Sequence, residues 1–451
     1  MIFDVAIVGG GAAGVLCAIH LLRTQGVPLR IALVEKVGGP GAGIAYSTRR
    51  PEHLLNVTAG RMSAIDADPA HFVRYLATHT RQAVSSDALS ATFAERRTYA
   101  AYLRATLAHE RARSASELQV IHDEIVAIGD DGDLHLAMRS GARLEARCAI
   151  LALGNWPRAL PMPLAGDVSP SSVLQGWDFE AIAALDAADD VLIAGSGLSM
   201  VDAVLTLAAN RRRGRVHVVS RHALFPLPHA QHGGVPMDVD ALSRLPLSQR
   251  IAALRKSASE AVARGEPWQW VMDTLRHENA RLWQTLSSGE QARFLRHASR
   301  YWDIHRHRIP PAAAAVVDSM LQSGRLVRHA GRIASIVPYE GRLRVGIDPA
   351  DSAAASIVVH RIVNCIGMQK DIERVPDDLV SSLLRRGLVR RGPHGIGLDT
   401  DADGALVDAR GHADLRLFTL GSVRIGRLWE SVAIPELRVQ AALLAERLRG
   451  A

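Results

Sequence analysis

The chain predicts an α/β fold with two dinucleotide-binding modules, on three observations. Gly9-Gly10-Gly11-Ala12-Ala13-Gly14 follows a short apolar run and opens a longer one of helical length. Gly195-Ser196-Gly197-Leu198 repeats that arrangement after Val191-Leu192-Ile193-Ala194. Near the end, Leu417-Phe418-Thr419-Leu420-Gly421-Ser422 is again an apolar run closed by glycine, and a helical pattern over 434–449 follows. A glycine turn between a buried strand and a helix start is the phosphate-holding unit of Rossmann-like domains.

In the first module, residues 4–8 read as a buried parallel strand and 12–25 as an apolar-faced helix ended by Gly26. Gly9 allows the tight turn, Gly11 lets the backbone approach a pyrophosphate, and Gly14 lets helix and strand pack closely. A pyrophosphate placed there meets free N–H groups at the positive end of the helix dipole. Glu35 closes the next apolar run, 30–35, where a carboxylate can accept from both ribose hydroxyls and repels a 2′-phosphate. The site therefore suits FAD or NAD and not NADP, and the neighbouring Ala13 and Lys36 are counted with it. A glycine-rich turn of an ordinary α/β domain needs no such register of strand, glycines, helix and terminal acid.

The second module differs in two places. Met200 stands where a third glycine is expected, so helix and strand sit further apart. Its second strand, 214–221, ends in Ser220-Arg221 instead of an acid. A guanidinium there is the expected partner of a 2′-phosphate and favours NADPH over NADH. Gly195, Gly197, Leu198, Ser220 and Arg221 are the candidate contacts, against the plainer reading of Arg221 as one solvated arginine among many.

Composition narrows the class. At 451 residues the chain fits two or three domains. No apolar run is long enough to span a bilayer, so no membrane partner is expected. The net charge of +7 rests on arginine, since Lys36, Lys256 and Lys370 are the only lysines. No basic run is interleaved with aromatics, which speaks against nucleic acid, and Arg211-Arg212-Arg213 reads as a solvated face in a helix-to-strand turn. Cys17, Cys148 and Cys365 are far apart, which argues against a redox-active disulfide or a thiolate metal site and suits core residues in a reducing cytosol. The apolar start carries Asp4 in place of a basic segment, so it is not read as a signal peptide, and a cytoplasmic protein is expected.

The other pieces of the first module are scattered. Residues 118–138 read as two short strands around Gly129-Asp130-Asp131-Gly132, and 143–153 as another strand ending at Gly154, where glycine lets the chain pass close to a cofactor. Strands return beyond Arg342, including 360–367. This order places one discontinuous domain at 1–160 and 338–451 and a second domain at 161–337, the latter with a helical insertion at about 223–311. The insertion holds Trp268, Trp270, Trp283 and Trp302; helical spacing sets Arg293, Arg296 and His297 on one side, and His305, Arg306, His307 and Arg308 fill one turn. That turn reads either as an anion-recognising surface or as a surface helix whose tryptophans face its core. Metal binding by His305 and His307 is not expected, because no acid or cysteine stands at ligand spacing.

At these motifs the chain resembles the two-dinucleotide-binding FAD/NAD(P) flavoproteins, relatives of single-component flavin-dependent N-hydroxylating monooxygenases. Further matching pieces are Gly41-Ala42-Gly43-Ile44-Ala45-Tyr46-Ser47, His53-Leu54-Leu55-Asn56-Val57, the stretch 302–311 and Trp429-Glu430-Ser431-Val432-Ala433-Ile434-Pro435-Glu436. The resemblance implies that Gly9, Gly11, Gly14 and Glu35 hold the ADP half of FAD, that Asn56 approaches the isoalloxazine and that Gly421 lies by the ribityl chain. Ile125 and Gly154 complete that set, and Gly195, Gly197 and Arg221 would hold NADPH. The chain lacks the FxGxxxHxxxW signature and has Ala152-Leu153-Gly154 where related folds often have Ala-Thr-Gly, which speaks against a carbonyl-inserting activity.

The expectation is an FAD-dependent, NADPH-using monooxygenase that hydroxylates the amine nitrogen of a small polar substrate, such as an amino acid, through a C4a-hydroperoxyflavin. The flavin would carry the chemistry while the protein orients and excludes water, which explains the lack of a nucleophile triad. Molecular oxygen and a carboxylate-bearing small molecule are the expected partners. The candidate catalytic residues are Asn56, then His305, Arg306 and Arg308 for the carboxylate, and Trp429 and Glu430 to shape the pocket. Glu430 and Glu436 read equally well as caps of the last helix. The alternatives are an NADPH-dependent flavin reductase or oxidase without oxygen transfer, and a flavin-containing redox sensor that uses the insertion on a partner. Arg221→Ala is expected to weaken NADPH binding far more than NADH binding; equal losses in titrations of both would remove the 2′-phosphate assignment.

Overall fold

The computed structural model describes residues 2–80, 84–129, 132–162, 164, 168–349 and 354–449. Strands Ala405–Val407, Ala413–Thr419, Arg143–Leu151, Ile2–Val8, Arg30–Glu35 and Glu117–His122 lie side by side in that order. From Ala413–Thr419 onward the pairings are parallel, with Val5 opposite Ile31 on one side and Cys148 on the other. Ile2–Val8 is buried on both faces, as a central parallel strand between helices requires. Val5 and Ile7 share a core with Leu16, Ile19 and Leu444, whereas Ala6 and Val8 face Leu134, Leu151 and Leu379.

The region expected to hold two strands between 118 and 138 holds three. Glu117–His122 pairs in parallel with Arg30–Glu35, and Ile125–Gly129 and Leu134–Met138 form an antiparallel hairpin docked on Arg143–Leu151. The run divides at Asp123, whose carboxylate accepts from the Glu124 amide at 2.8 Å and from the Ser140 hydroxyl. Asp130 and Asp131 of the expected turn lie outside the described residues.

A second, wholly parallel sheet runs Leu326–Ala330, Val216–Ser220, Val191–Ala194, Arg361–Asn364, Val173–Gln175. This corrects the boundary placed at residue 338. Arg361–Asn364 is an inner strand of the second sheet, with Ile362 opposite Leu192 and Val173. The antiparallel strands Arg332–Tyr339, Arg342–Asp348 and Ala355–Val359 pack into the core of that same sheet through Ile336, Val345 and Val359. The chain thus leaves the second sheet only after residue 364. The apolar run 361–366 looks alike wherever it pairs, and periodicity cannot say which sheet receives it.

Helices Val239–Arg244, Leu247–Ala263, Gln269–Leu275, Asn279–Gln284, Ser288–His297 and Ser299–Arg306 form the insertion. Arg293 and Arg296 are exposed on one face, whereas Phe294 is buried against Trp283. Met200, standing for the third glycine, is fully buried beside Ile193 and Val204. Arg211 and Arg213 are exposed as expected, but Arg212 is 2% exposed, and its guanidinium donates to the Asp189 carbonyl. Cys17 and Cys365 are buried and Cys148 is half-buried, all three unpaired.

One ion pair ties the two sheets' modules together. Arg96 donates to both carboxylate oxygens of Asp202, at 2.7 and 3.0 Å, and from Nε to the Leu54 carbonyl. The buried His53 ring sits beside it, within 2.7 Å of Thr48 Oγ1 and 2.9 Å of Thr206 Oγ1. Among the described residues no helix is long and apolar enough to cross a membrane.

The glycines of the first turn are not equivalent. A Cβ on Gly14 would fall 1.9 Å from the Gly9 carbonyl oxygen, while one on Gly11 would come no nearer than 3.6 Å to Gly43. Gly14→Ala is therefore expected to force helix Ala12–Arg23 off its strand and destabilise the fold by about 1–3 kcal/mol, with loss of bound flavin. Gly11→Ala should leave the unfolding midpoint in denaturant close to wild type.

Candidate active site

The first glycine turn is shaped to hold a pyrophosphate. Gly9 takes φ +105°, and a Cβ there would lie 2.3 Å from the Ala152 carbonyl, so only glycine fits. Its amide donates to the Val34 carbonyl, closing turn to strand. A Cβ on Gly11 would meet only the Gly43 Cα, at 3.6 Å, and the amides that open helix Ala12–Arg23 are the kind of donors a phosphate takes. Glu35 Oε2 accepts from the Gly10 amide at 2.6 Å and Oε1 from the Val37 amide at 2.8 Å. The carboxylate is thereby fixed at the strand end with lone pairs left for a ribose. Lys36 is exposed and pairs with Glu124 at 3.0 Å. Ala13 lies in the first turn of the helix, and the Ile125 side chain is buried in the core with Val8 and Val34.

Gly154 is exposed at φ +72°, and its carbonyl accepts from the Ser422 hydroxyl. Gly421 is buried at φ +79°; its amide donates to Gln440 Oε1 at 3.2 Å and its carbonyl accepts from Ser431 at 2.7 Å. Leu437 Cδ2 would stand 3.0 Å from a Gly421 Cβ, so the last helix, Ile434–Arg449, closes directly on this glycine.

The second turn repeats the geometry. A Cβ on Gly195 would lie 2.3 Å from the Cys365 carbonyl, whereas nothing comes within 4 Å of one on Gly197. Ser196 is buried and donates to Ser220 Oγ at 2.7 Å. Arg300, which the sequence reading passed over, reaches from the insertion to the Ser196 carbonyl at 2.9 Å and its Oγ at 3.0 Å. Arg221 is exposed at the end of Val216–Ser220. Between the two modules a narrow cleft is lined by Leu54, Asn56 and Arg96 from one side and Leu198, Val201 and Pro310 from the other.

Beside that cleft, segment 56–61, the insertion and the start of the last helix meet in a buried charged cluster. Asn56 is half-buried, and its carbonyl accepts from His229 Nε2 at 3.0 Å. Burial, followed by the nearby Arg308 charge, lowers the His229 pKa to about 4, so the ring is neutral at physiological pH. Arg308 pairs with Asp273, which also takes His232 at 3.1 Å. Arg61 contacts the other ring nitrogen of His232. Glu430 Oε2 accepts from Arg306 at 2.7 Å and Asn279 at 2.8 Å, and its Oε1 accepts from Trp302 Nε1 at 2.8 Å. Burial alone raises the Glu430 pKa, but Arg306, His307 and these donors outweigh it and hold the carboxyl below its usual range. Trp429 takes φ +62°, a strained conformation for a bulky residue, and stacks on Trp283 at 5.1 Å.

The structure separates residues that the sequence grouped. The turn at 305–308 is not one open cationic surface, because the helix ends at Arg306 and the four side chains go to four destinations. His305 donates from Nδ1 to the Tyr301 carbonyl at 2.7 Å and lies edge-on to Trp268. Arg306 goes to Glu430, His307 lies 3.8 Å from Asp303, and Arg308 goes to Asp273. Arg306 and Arg308 are buried and each is already held in an ion pair. Glu430 is an ion-pair partner and not a cap; Glu436 does lie in the first turn of the last helix. Arg276, Asn279, Arg61, Asp273 and His229 complete the cluster and were missed, since isolated arginines and histidines in a helical stretch carry no local signal.

Residues 6–156 match the family model described as FAD-NAD(P)-binding. No curated protein matches the sequence. Among solved structures, the chain is similar to L-lysine 6-monooxygenase from Pseudomonas syringae, at 17% identity over 99% of both chains with a TM-score of 0.70. It is similar to the ornithine N-hydroxylase of Kutzneria sp. 744, at 16% identity over 100% of this chain and 99% of that one, TM-score 0.66. Bacillithiol disulfide reductase from Staphylococcus aureus shares the fold at 13% identity over 99% and 98% of the two chains, TM-score 0.58. The chain therefore has the mixed α/β fold of flavoproteins with two dinucleotide-binding domains.

Glu430→Gln removes one partner of a buried ion pair and leaves Arg306 charged in the interior, a loss of about 3–5 kcal/mol. The Glu430 carboxyl titrates lower in the folded than in the unfolded chain. Its contribution is therefore present above the ordinary carboxyl range and lost as pH falls through the depressed folded value. Denaturant unfolding from pH 7 down to pH 3 should show the wild type losing stability and E430Q losing less.

Proposed function

We propose that this chain is an FAD- and NADPH-dependent monooxygenase that hydroxylates the amine nitrogen of a small polar substrate such as an amino acid. The observation that carries the reading is the buried charged cluster beside Asn56. It stands where a first module shaped for FAD, a second shaped for a nicotinamide nucleotide and the insertion converge. The fold is shared along nearly the whole chain with the ornithine and lysine hydroxylases, and it is the cluster, not the fold, that bears on chemistry.

The flavin, reduced by NADPH, would supply the activated oxygen; the chain's residues do the rest. Gly9, Gly11, Gly14 and Glu35 would hold the adenosine diphosphate half, with Ala13, Gly154 and Gly421 along the cofactor's path. Gly195, Gly197, Leu198 and Ser220 would hold the nicotinamide nucleotide, with Arg221 on the 2′-phosphate. Asn56, on the cleft wall, would face the flavin ring. The apolar wall of Trp283, Phe294, Trp302 and Trp429 lies behind the cluster and would exclude water, so that activated oxygen is not lost early as peroxide. Neutral His229 holds the Asn56 carbonyl without adding charge. Disulfide reduction, the activity of one relative in fold, finds no support here. Cys17 and Cys365 are buried and Cys148 is held up at about 11, so no thiolate is offered. Three unpaired thiols agree with a cytoplasmic setting.

The test is anaerobic addition of NADPH to the purified holoprotein, then oxygen, then a panel of amino acids. Bleaching of the flavin by NADPH, faster NADPH consumption with one amino acid, and a hydroxylated product of that amino acid are the expected results. Bleaching with stoichiometric peroxide and no hydroxylated product under any condition would make the chain a reductase or oxidase. No bleaching at all would leave a flavin-containing sensor.

A further inference from the structure

The charged cluster contains a guanidinium with one whole edge unfilled and a carboxylate with an idle oxygen, and they face each other, whereas Arg306 and Arg308 each leave only Nε without a partner. Arg276 lies in the short turn Arg276–Glu278 between two insertion helices and is 6% exposed. Its Nε and Nη2 are both buried without a hydrogen-bond partner. Glu436, in the first turn of the last helix, has Oε2 buried and likewise unpartnered. Glu436 Oε1 stands 3.6 Å from Arg276 Nε and 3.6 Å from Arg306 Nη2, too far to hydrogen-bond to either. Burial, then repulsion from Arg306, lowers the Arg276 pKa to about 10, which still leaves it charged. A buried cation with two idle donors is costly unless something binds them.

The idle atoms specify what that is. Nε–H and Nη2–H point in parallel from one edge of a guanidinium, and this fork matches the two oxygens of a carboxylate. The neighbouring idle Oε2 accepts from a cationic donor. The cluster's charges lean the same way: Arg61, Arg276, Arg306 and Arg308 face Asp273, Glu430 and Glu436, so guanidiniums outnumber carboxylates by one. An anion brings the group to balance, and a zwitterion does so while also satisfying Glu436.

We infer that Arg276 and Glu436 form the receptor for the zwitterionic head group of an α-amino acid, carboxylate on the Arg276 fork and ammonium on Glu436 Oε2. This replaces the Arg306 and Arg308 of the 305–308 turn, which are spent on Glu430 and Asp273. It rests on the reading of the chain as an amino-acid-oxidising flavoprotein, and it locates the recognition that reading requires.

The experiment titrates the wild-type holoprotein with L-lysine, L-ornithine, L-aspartate and L-glutamate, each paired with its α-methyl ester and Nα-acetyl form, by calorimetry and by perturbation of the flavin spectrum. At least one free amino acid should bind, and its ester and its acetyl form should each bind about 100-fold more weakly. Arg276→Gln should abolish the preference for the free acid over the ester, and Glu436→Gln the preference for the free amine over the acetyl form. Should Arg276→Gln fail to fold, Arg276→Lys keeps the charge without the fork and should cost about tenfold in affinity. Equal binding of free acids and esters, equal binding by variants and wild type, or no binding of any panel member would overturn the receptor. Bleaching of the wild-type flavin by NADPH, measured with no amino acid present, decides the oxidoreductase reading separately.

Discussion

A single carboxylate organises the reactive end of this molecule. Glu430 takes a guanidinium, an indole N–H and a side-chain amide from two insertion helices, yet it sits on the segment that closes the first sheet's module. Charge-assisted hydrogen bonds of this kind are strong in a dry interior, but only while every partner is present. The insertion is thereby fixed to the module that carries the first glycine turn, although the two are remote in sequence. Trp429, one residue earlier, holds a left-handed backbone conformation. Such strain persists only where surrounding contacts over-determine it, and Glu430's three donors and the stacked Trp283 provide that.

A second tie lines the cleft itself, where Arg96 grips Asp202 with both terminal nitrogens. The modules are thus joined by two ion pairs of opposite origin. In one the first module supplies the cation and in the other it supplies the anion. Buried pairs of this sort add little net stability over an apolar substitute, but they fix register between elements that could otherwise slide. Register is what matters here, because two dinucleotides must meet edge to edge across this gap for the proposed reaction to occur.

The parts of the fold legible in the sequence were those with local signals. Gly9, Gly14 and Gly195 each answer a steric demand set by a neighbouring carbonyl, and that demand is visible in the spacing of glycines after an apolar run. The last helix was readable from end to end because its periodicity is long. Arg361–Asn364 was placed in the wrong sheet, since a strand buried on both faces carries no mark of its neighbours. The cluster was legible only in outline. Arg306, Arg308 and Glu430 were singled out as important, but whether an arginine is free or spent depends on acids brought from 35 and 124 residues away. Arg276 had no signal, because what distinguishes it is two buried N–H groups without a hydrogen bond, a property of the folded state alone.

The three cysteines give the molecule a further property. Each thiol is shielded, and burial raises the pKa of all of them, so none is present as the readily oxidised thiolate. A flavoprotein that meets oxygen with reducing equivalents in hand leaks hydrogen peroxide whenever turnover misfires. If the proposed reaction holds, thiols kept out of the thiolate form would slow the oxidation of these cysteines to sulfenic and sulfinic acids.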